Sequence, residues 1–299
     1  MIPSVISAGN REYDILFFSW LLTNWCNYKC SYCYSEGSLV EKFSKMDYRD
    51  SKHKLVLTRL RALAADFKVD FGGGETTIHP YLDNILYELI NMERCKSVLI
   101  NTNLSRSLRY FQKLPKHDKV ILSASYHAEH HNEQFIEKCI ALKDNNFYCH
   151  INLSDRPEHW QNTLDLINTV KHHGVNYGFN VLYSTPFRTI NYTPEFYDTF
   201  RDLDGASQMT YQYTFSDGTT EDLSSMEIYE RNLHKLTGYK CTPLNYVIDF
   251  EGTINRTCNS ERMPMFLKRE HTHKTIICPQ KECNCDILFN YYKEKPNGN

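Results

Sequence analysis

Apolar residues recur along the first half of the chain in short runs separated by helical stretches. The runs Ile15–Leu22, Phe67–Phe71, Ser97–Asn101, Lys119–Ser125, Phe147–Leu153 and Tyr177–Tyr183 are predicted as strands. Most read as continuous rather than alternating, the pattern of parallel strands buried on both faces. Between them, Val56, Leu60 and Leu63 mark one amphipathic helix, and Leu82, Ile85, Leu86, Leu89 and Ile90 a second. A third is expected to start with Asp155 as N-cap and Pro157 in its first turn, and carries Trp160, Leu164 and Ile167.

Six β/α repeats predict a parallel sheet with right-handed crossovers, as either a partial barrel or a doubly wound sheet. Either way the reactive groups belong at the C-terminal ends of the strands. The pattern changes after Tyr183. Residues 184–240 are polar and poorly periodic, with one helix expected near Pro194–Leu203. From Cys241 onward five cysteines fall within 45 residues, around a predicted hairpin of Tyr246–Phe250 and Thr253–Thr257 that turns at Glu251-Gly252. The expected organisation is a core over 1–183, a connecting region over 184–240 and a small Cys-rich module over 241–299. Residues Lys293 to Asn299 read as a frayed tail.

Composition narrows the partners. The formal charge of −2 argues against a surface built for nucleic-acid backbone, and 41% apolar residues suit a globular fold. No apolar run approaches the roughly 20 residues of a membrane span, and no secretory segment opens the chain, so a cytoplasmic location is expected. In that compartment the eleven cysteines read as metal ligands or buried thiols rather than disulfides.

The chemistry concentrates after the first strand, in Cys26-Asn-Tyr-Lys-Cys30-Ser-Tyr-Cys33. Three thiolates on one loop can hold three corners of a 4Fe–4S cubane and leave the fourth iron open. The competing zinc knuckle needs a fourth ligand nearby, and the next histidine along the chain is His53. After the second strand comes Phe71-Gly72-Gly73-Gly74-Glu75, where glycines permit close backbone approach and Glu75 offers a carboxylate.

These two segments resemble the radical S-adenosylmethionine (SAM) superfamily, whose signature is C-x3-C-x-aromatic-C after the first barrel strand followed by a Gly-Gly-Glu after the second. The resemblance implies a partial (β/α)6 TIM-type barrel. It also implies a 4Fe–4S cluster on Cys26, Cys30 and Cys33, with SAM chelating the open iron. Tyr32 would then lie near the adenine, and Gly73, Gly74 and Glu75 at the methionine amino group. In the same register Asn103 and Ser123 or Ser125 are expected to face the ribose and carboxylate of SAM. Leu104 stands where relatives often carry glycine. His127, after the fourth strand, is a candidate for proton transfer.

The C-terminal cysteines, Cys241, Cys258, Cys278, Cys283 and Cys285, resemble the SPASM and twitch extensions of that superfamily. Five ligands suffice for one auxiliary 4Fe–4S cluster, so a twitch-like site is the closer match, with a four-cysteine zinc site as the alternative. The activity implied is reductive cleavage of SAM and hydrogen abstraction from a substrate, fed by a flavodoxin- or ferredoxin-like electron donor. About fourteen residues precede the first strand, too few for the leader-binding domain of many peptide-modifying relatives. A small molecule (sugar, nucleoside or amino-acid derivative) is therefore expected ahead of a peptide. The reading from another class is a non-enzymatic zinc or iron–sulfur protein. Cys95, Cys139 and Cys149 read as buried thiols.

Overall fold

The computed structural model describes residues 3–7, 15–33, 52–130, 133–185, 188–189, 192–200, 210–257, 261–264, 266–281 and 293–296. After a short N-terminal strand, β1 (Pro3–Ser7), six strands run parallel: β2 (Leu16–Thr23), β3 (Phe67–Gly73), β4 (Cys95–Thr102), β5 (Val120–Tyr126), β6 (Phe147–Leu153) and β7 (Tyr177–Val181). Helices α1 (His53–Arg61), α2 (Leu82–Ile90), α3 (Leu108–Lys113), α4 (Glu133–Leu142) and α5 (Trp160–His172) fill the crossovers.

Spatial order follows sequence order from β2 to β7. A doubly wound sheet would reverse direction once; this one never does, so its helices cover a single face. The fold is the partial barrel. Its strands are two-faced rather than continuous. On the helix side Leu16, Phe18, Trp20, Val69, Phe71, Val98 and Ile100 are buried with Val56, Leu60, Ile85 and Leu89 of the helices. On the inner side Ser19, Asp70, Asn101, Ser125 and His150 keep partial exposure. The expectation of strands buried on both faces is corrected by this alternation, which is what an open half barrel with a polar concave side requires.

Two local expectations also change. Asp155 does not cap the third helix: a 3-10 turn over Pro157–His159 precedes α5, and Arg156 stands at its cap without a side-chain hydrogen bond. The tail contains a short strand over Lys293–Glu294. The helix near 194 forms as α6 (Pro194–Phe200), after a small ladder of β8 (Tyr183–Thr185) and β9 (Arg188–Thr189).

The predicted hairpin is present as β13 (Asn245–Ile248) and β14 (Ile254–Arg256), and it joins the barrel. β13 pairs parallel with β2, setting Tyr246 opposite Phe18 with ring centroids 5.5 Å apart. Its turn is tied to α1, where the Arg59 guanidinium donates to the Gly252 carbonyl. Arg256 is buried, and its guanidinium bonds the carbonyls of Pro243 (3.2 Å) and His271 (2.5 Å) and the Glu261 carboxylate (3.3 Å).

A second, antiparallel sheet collects β10 (Thr210–Phe215), β11 (Thr220–Ser224), β12 (Lys240–Cys241), β15 (Ile276–Ile277) and β16 (Lys293–Glu294) around β1, in the order β11-β10-β1-β16-β12-β15. Tyr211, Tyr213, Phe215 and Leu223 form its core with Ile228 and Tyr229 of α7 (Ser225–Glu230). Ser224 and Glu227 cap α7 reciprocally, each side chain bonding the other's backbone N–H. Helix α8 (Arg269–Thr272) precedes β15. Among the described residues no helix is long and apolar enough to cross a membrane.

Candidate active site

The C-terminal ends of β2 to β6 deliver their loops to one rim. Leaving β2, the chain passes Thr23, Asn24 and Trp25 and enters the cysteine loop. The end of β3 is pressed against that entry: Gly74 donates to the Thr23 carbonyl (2.5 Å) and Glu75 to the Trp25 carbonyl (2.9 Å). A Cβ on Gly73 would stand 2.2 Å from the Thr23 oxygen, and one on Gly74 2.2 Å from that of Trp25; Gly73 also has φ +107°. Only glycine fits. These glycines admit the backbone of the cysteine loop itself.

Glu75 follows, 1% exposed. Its Oε1 accepts the Thr77 N–H (3.2 Å), the Thr77 hydroxyl and the Thr102 hydroxyl (2.6 Å), and its Oε2 accepts the Asn103 N–H (2.6 Å). The side chain therefore splices the end of β3 to the end of β4. Asn103, so positioned, turns its amide to Asn27 Oδ1 (2.9 Å) and lies 3.9 Å from Cys26 Sγ. Leu104 keeps the left-handed turn that glycine would favour, at φ +58°, and is nonetheless buried, with its N–H on the Thr102 hydroxyl at 3.1 Å.

Cys26, Cys30 and Cys33 share the loop, with Cys33 N–H on the Cys30 carbonyl at 3.1 Å and Tyr28 N–H on Cys26 Sγ at 3.4 Å. Burial, then the neighbouring Cys33 and Cys26, push the Cys30 thiol up to about 12; burial and, more weakly, Glu75 and Cys33 raise that of Cys26. The N–H donors beside Cys26, from Tyr28 and the Asn103 amide, suit a thiolate. The donor set fits a thiolate-bound cluster.

The far side of the loop is locked to the turn after β5. Tyr32 reaches His127 Nδ1 at 2.9 Å with the rings stacked, and Tyr28 stacks on His130 at 4.1 Å. Burial and the neighbouring His130 push His127 down to about 4, which leaves its ring neutral at the Tyr32 hydroxyl. Glu129 accepts the Ser31 N–H (2.7 Å) and the Ser31 hydroxyl, and Arg156 bonds both Ser31 Oγ (2.8 Å) and Glu129 (3.3 Å). Glu129 and Arg156 carry no signal in the sequence, because the Ser31 they share lies 98 and 125 residues away from them along the chain.

Ser123 is buried beneath the rim and bonds His150 Nδ1 at 3.3 Å, while Ser125 stands beside His150 in register and is part-exposed. On the inner face Asp70 accepts from Asn101, and burial outweighs that bond to push its carboxyl up to about 7. An acid raised in this way stabilises the fold fully below its ordinary value near 4 and loses that contribution as pH rises through about 7. Asp70→Asn should therefore gain thermal stability on wild type between about pH 4 and about pH 8. Melts showing a constant difference across that range would refute it.

In the second sheet Cys241 pairs with Ile276, and Cys278 N–H bonds the Tyr239 carbonyl at 2.8 Å. The two cysteines thus lie diagonally on one face of a two-strand ladder, both buried. Cys258, Cys283, Cys285 and His131 lie outside the described residues. Cys95, Cys139 and Cys149 are fully buried away from the rim.

A cysteine loop on the C-terminal rim of a singly wound half barrel defines a class of enzyme that works at that rim. The family model of the radical SAM superfamily matches residues 20–203, more than half of the chain, and the chain belongs to that superfamily. The family is one of enzymes that use a 4Fe–4S cluster and SAM. No curated protein matches it. Among solved structures it is similar to SuiB of Streptococcus suis, at 14% identity and TM-score 0.51, over 87% of this chain and 66% of that one. SuiB bound to its precursor peptide SuiA gives 13% and 0.55, over 85% and 63%. Polyhistidine-tagged anSMEcpe with bound AdoMet gives 15% and 0.57, over 87% and 80%. The chain thus spans just under two-thirds of SuiB. At these identities the likeness is one of fold.

Proposed function

We propose that this chain cleaves SAM reductively on a 4Fe–4S cluster held by Cys26, Cys30 and Cys33, and directs the resulting 5′-deoxyadenosyl radical at a C–H bond of a substrate in the half barrel. The single observation that carries the reading is the packing of Gly73 and Gly74 onto the backbone that enters the cysteine loop. It joins the two sequence segments into one structural unit. Glu75 fixes Asn103 beside Cys26, and Tyr32 with His127 closes the opposite side; together they orient ligands and exclude water from the rim.

The substrate favoured is a small polar molecule, a sugar, nucleoside or amino-acid derivative. Support comes from the inner face, where Asp70, Asn101, Ser123, Ser125 and His150 offer hydrogen bonds rather than an apolar lining. The second reading, a peptide substrate, is favoured by the likeness to SuiB with its precursor peptide. Cys241 and Cys278 on one ladder face support an auxiliary site completed from Cys258, Cys283 and Cys285. A single 4Fe–4S cluster is preferred there over zinc, with net oxidation as the outcome and a flavodoxin- or ferredoxin-like protein as electron source.

Anaerobic reconstitution with iron and sulfide, followed by metal analysis and a 5′-deoxyadenosine assay, tests this. About eight irons per chain are expected for two clusters and about four for one. A colourless zinc protein that leaves SAM intact would overturn the proposal.

A further inference from the structure

The tip of the cysteine loop meets the 3-10 turn Ala128–His130 at one point. Cys30 Sγ, a Glu129 carboxylate oxygen and a His130 ring nitrogen all lie within 4.8 Å of one another. Cys30 is buried; Glu129 and His130 are half-buried. The group is ordered by its surroundings. Ser31 and Arg156 fix the Glu129 carboxylate from two sides. Tyr28 stacks on His130, whose backbone N–H is bonded to the His127 carbonyl at 2.8 Å.

Thiolate, imidazole and carboxylate together are the donors that a tetrahedral, borderline-soft divalent cation takes. Ligand bonds of about 2.0–2.3 Å require the three donor atoms to close by about 1 Å, within the reach of side-chain rotation. We propose that, when the loop carries no cluster, Cys30, Glu129 and His130 hold one divalent transition-metal cation, with water in the fourth position. Binding sends the Cys30 proton to solvent, and the thiolate and carboxylate balance the two positive charges. Because Cys30 serves both, the single cation and the cluster exclude one another. That last point rests on the cluster reading above.

Cobalt(II) is the probe. The full chain, stripped of iron under anaerobic conditions, should take up one cobalt per chain with a thiolate-to-cobalt charge-transfer band and tetrahedral ligand-field bands. Glu129→Gln and His130→Gln should each weaken uptake at least about tenfold, the loss caused even by a partner outside the ligand set. Glu129→Asp should restore part of it, while Cys26→Ser and Cys33→Ser should leave stoichiometry and bands unchanged. Bands that need Cys26 and Cys33 but ignore Glu129 and His130 would overturn the proposal, as would no uptake by the wild type. Circular dichroism of each variant separates loss of the site from loss of the fold. Reconstituting the wild type with iron and sulfide tests the cluster reading independently, since its failure leaves the cobalt result intact.

Discussion

Cys30→Ser is expected to abolish 5′-deoxyadenosine release and the visible absorbance of the reconstituted N-terminal cluster while leaving the fold in place. A hydroxyl at this position is a poor ligand for iron, and the loop has no spare thiol within its own span: the next cysteine in the chain is Cys95, buried at the start of β4, the end of the strand away from the rim. The rate should fall by at least about a thousandfold, equivalent to roughly 4 kcal/mol or more of lost transition-state stabilisation. Cys149→Ser is the control. It should lower stability by about 1–3 kcal/mol by burying a hydroxyl in an apolar site, and keep SAM cleavage. Deoxyadenosine assays on both proteins decide the matter; equal activity of Cys30→Ser and wild type would remove the loop from the chemistry.

Glu75→Ala should have the second largest effect, and its effect should fall on stability as well as on activity. The carboxylate is the acceptor for the backbone of Thr77 and Asn103 and for the hydroxyls of Thr77 and Thr102, in a site shut off from water. Its removal leaves two backbone N–H groups without that acceptor, at about 1–3 kcal/mol each, so roughly 2–6 kcal/mol of stability is lost. Glu75→Gln keeps the volume but aims an amide N–H at one of these donors, and should be intermediate. Chemical denaturation measures both. A Glu75→Ala variant as stable as wild type would show that the splice between β3 and β4 carries no weight.

Much of the barrel was legible because its helices and strands repeat with distinct periods. Phe147–Leu153 matches its observed strand end to end, and the other five begin within two residues of expectation. What misled was the inner face. Asp70 and Asn101 interrupt apolar runs, and local pattern does not show that a sheet is open on one side. The second sheet was harder. Tyr211, Tyr213 and Phe215 do alternate with polar residues, which is a strand signal set within a polar region. β1, β12, β15 and β16 are too short to carry a period, and their pairing joins segments from opposite ends of the sequence. For the site, the cysteine spacing and the Gly-Gly-Glu were readable as residues. Glu75's true neighbours, and the meeting of Glu129 with Ser31, depend on tertiary packing that spacing does not encode.

The parallel pairing of β13 with β2 has a consequence for synthesis. Strand β2 leads straight into the cysteine loop, yet the partner on its outer edge is made more than two hundred residues later. Until Asn245–Ile248 has left the ribosome, that edge offers its unpaired backbone to any passing strand, and this long-range closure is slow. The loop therefore acquires its rigid root only once Asn245–Ile248 has been made and has docked on β2.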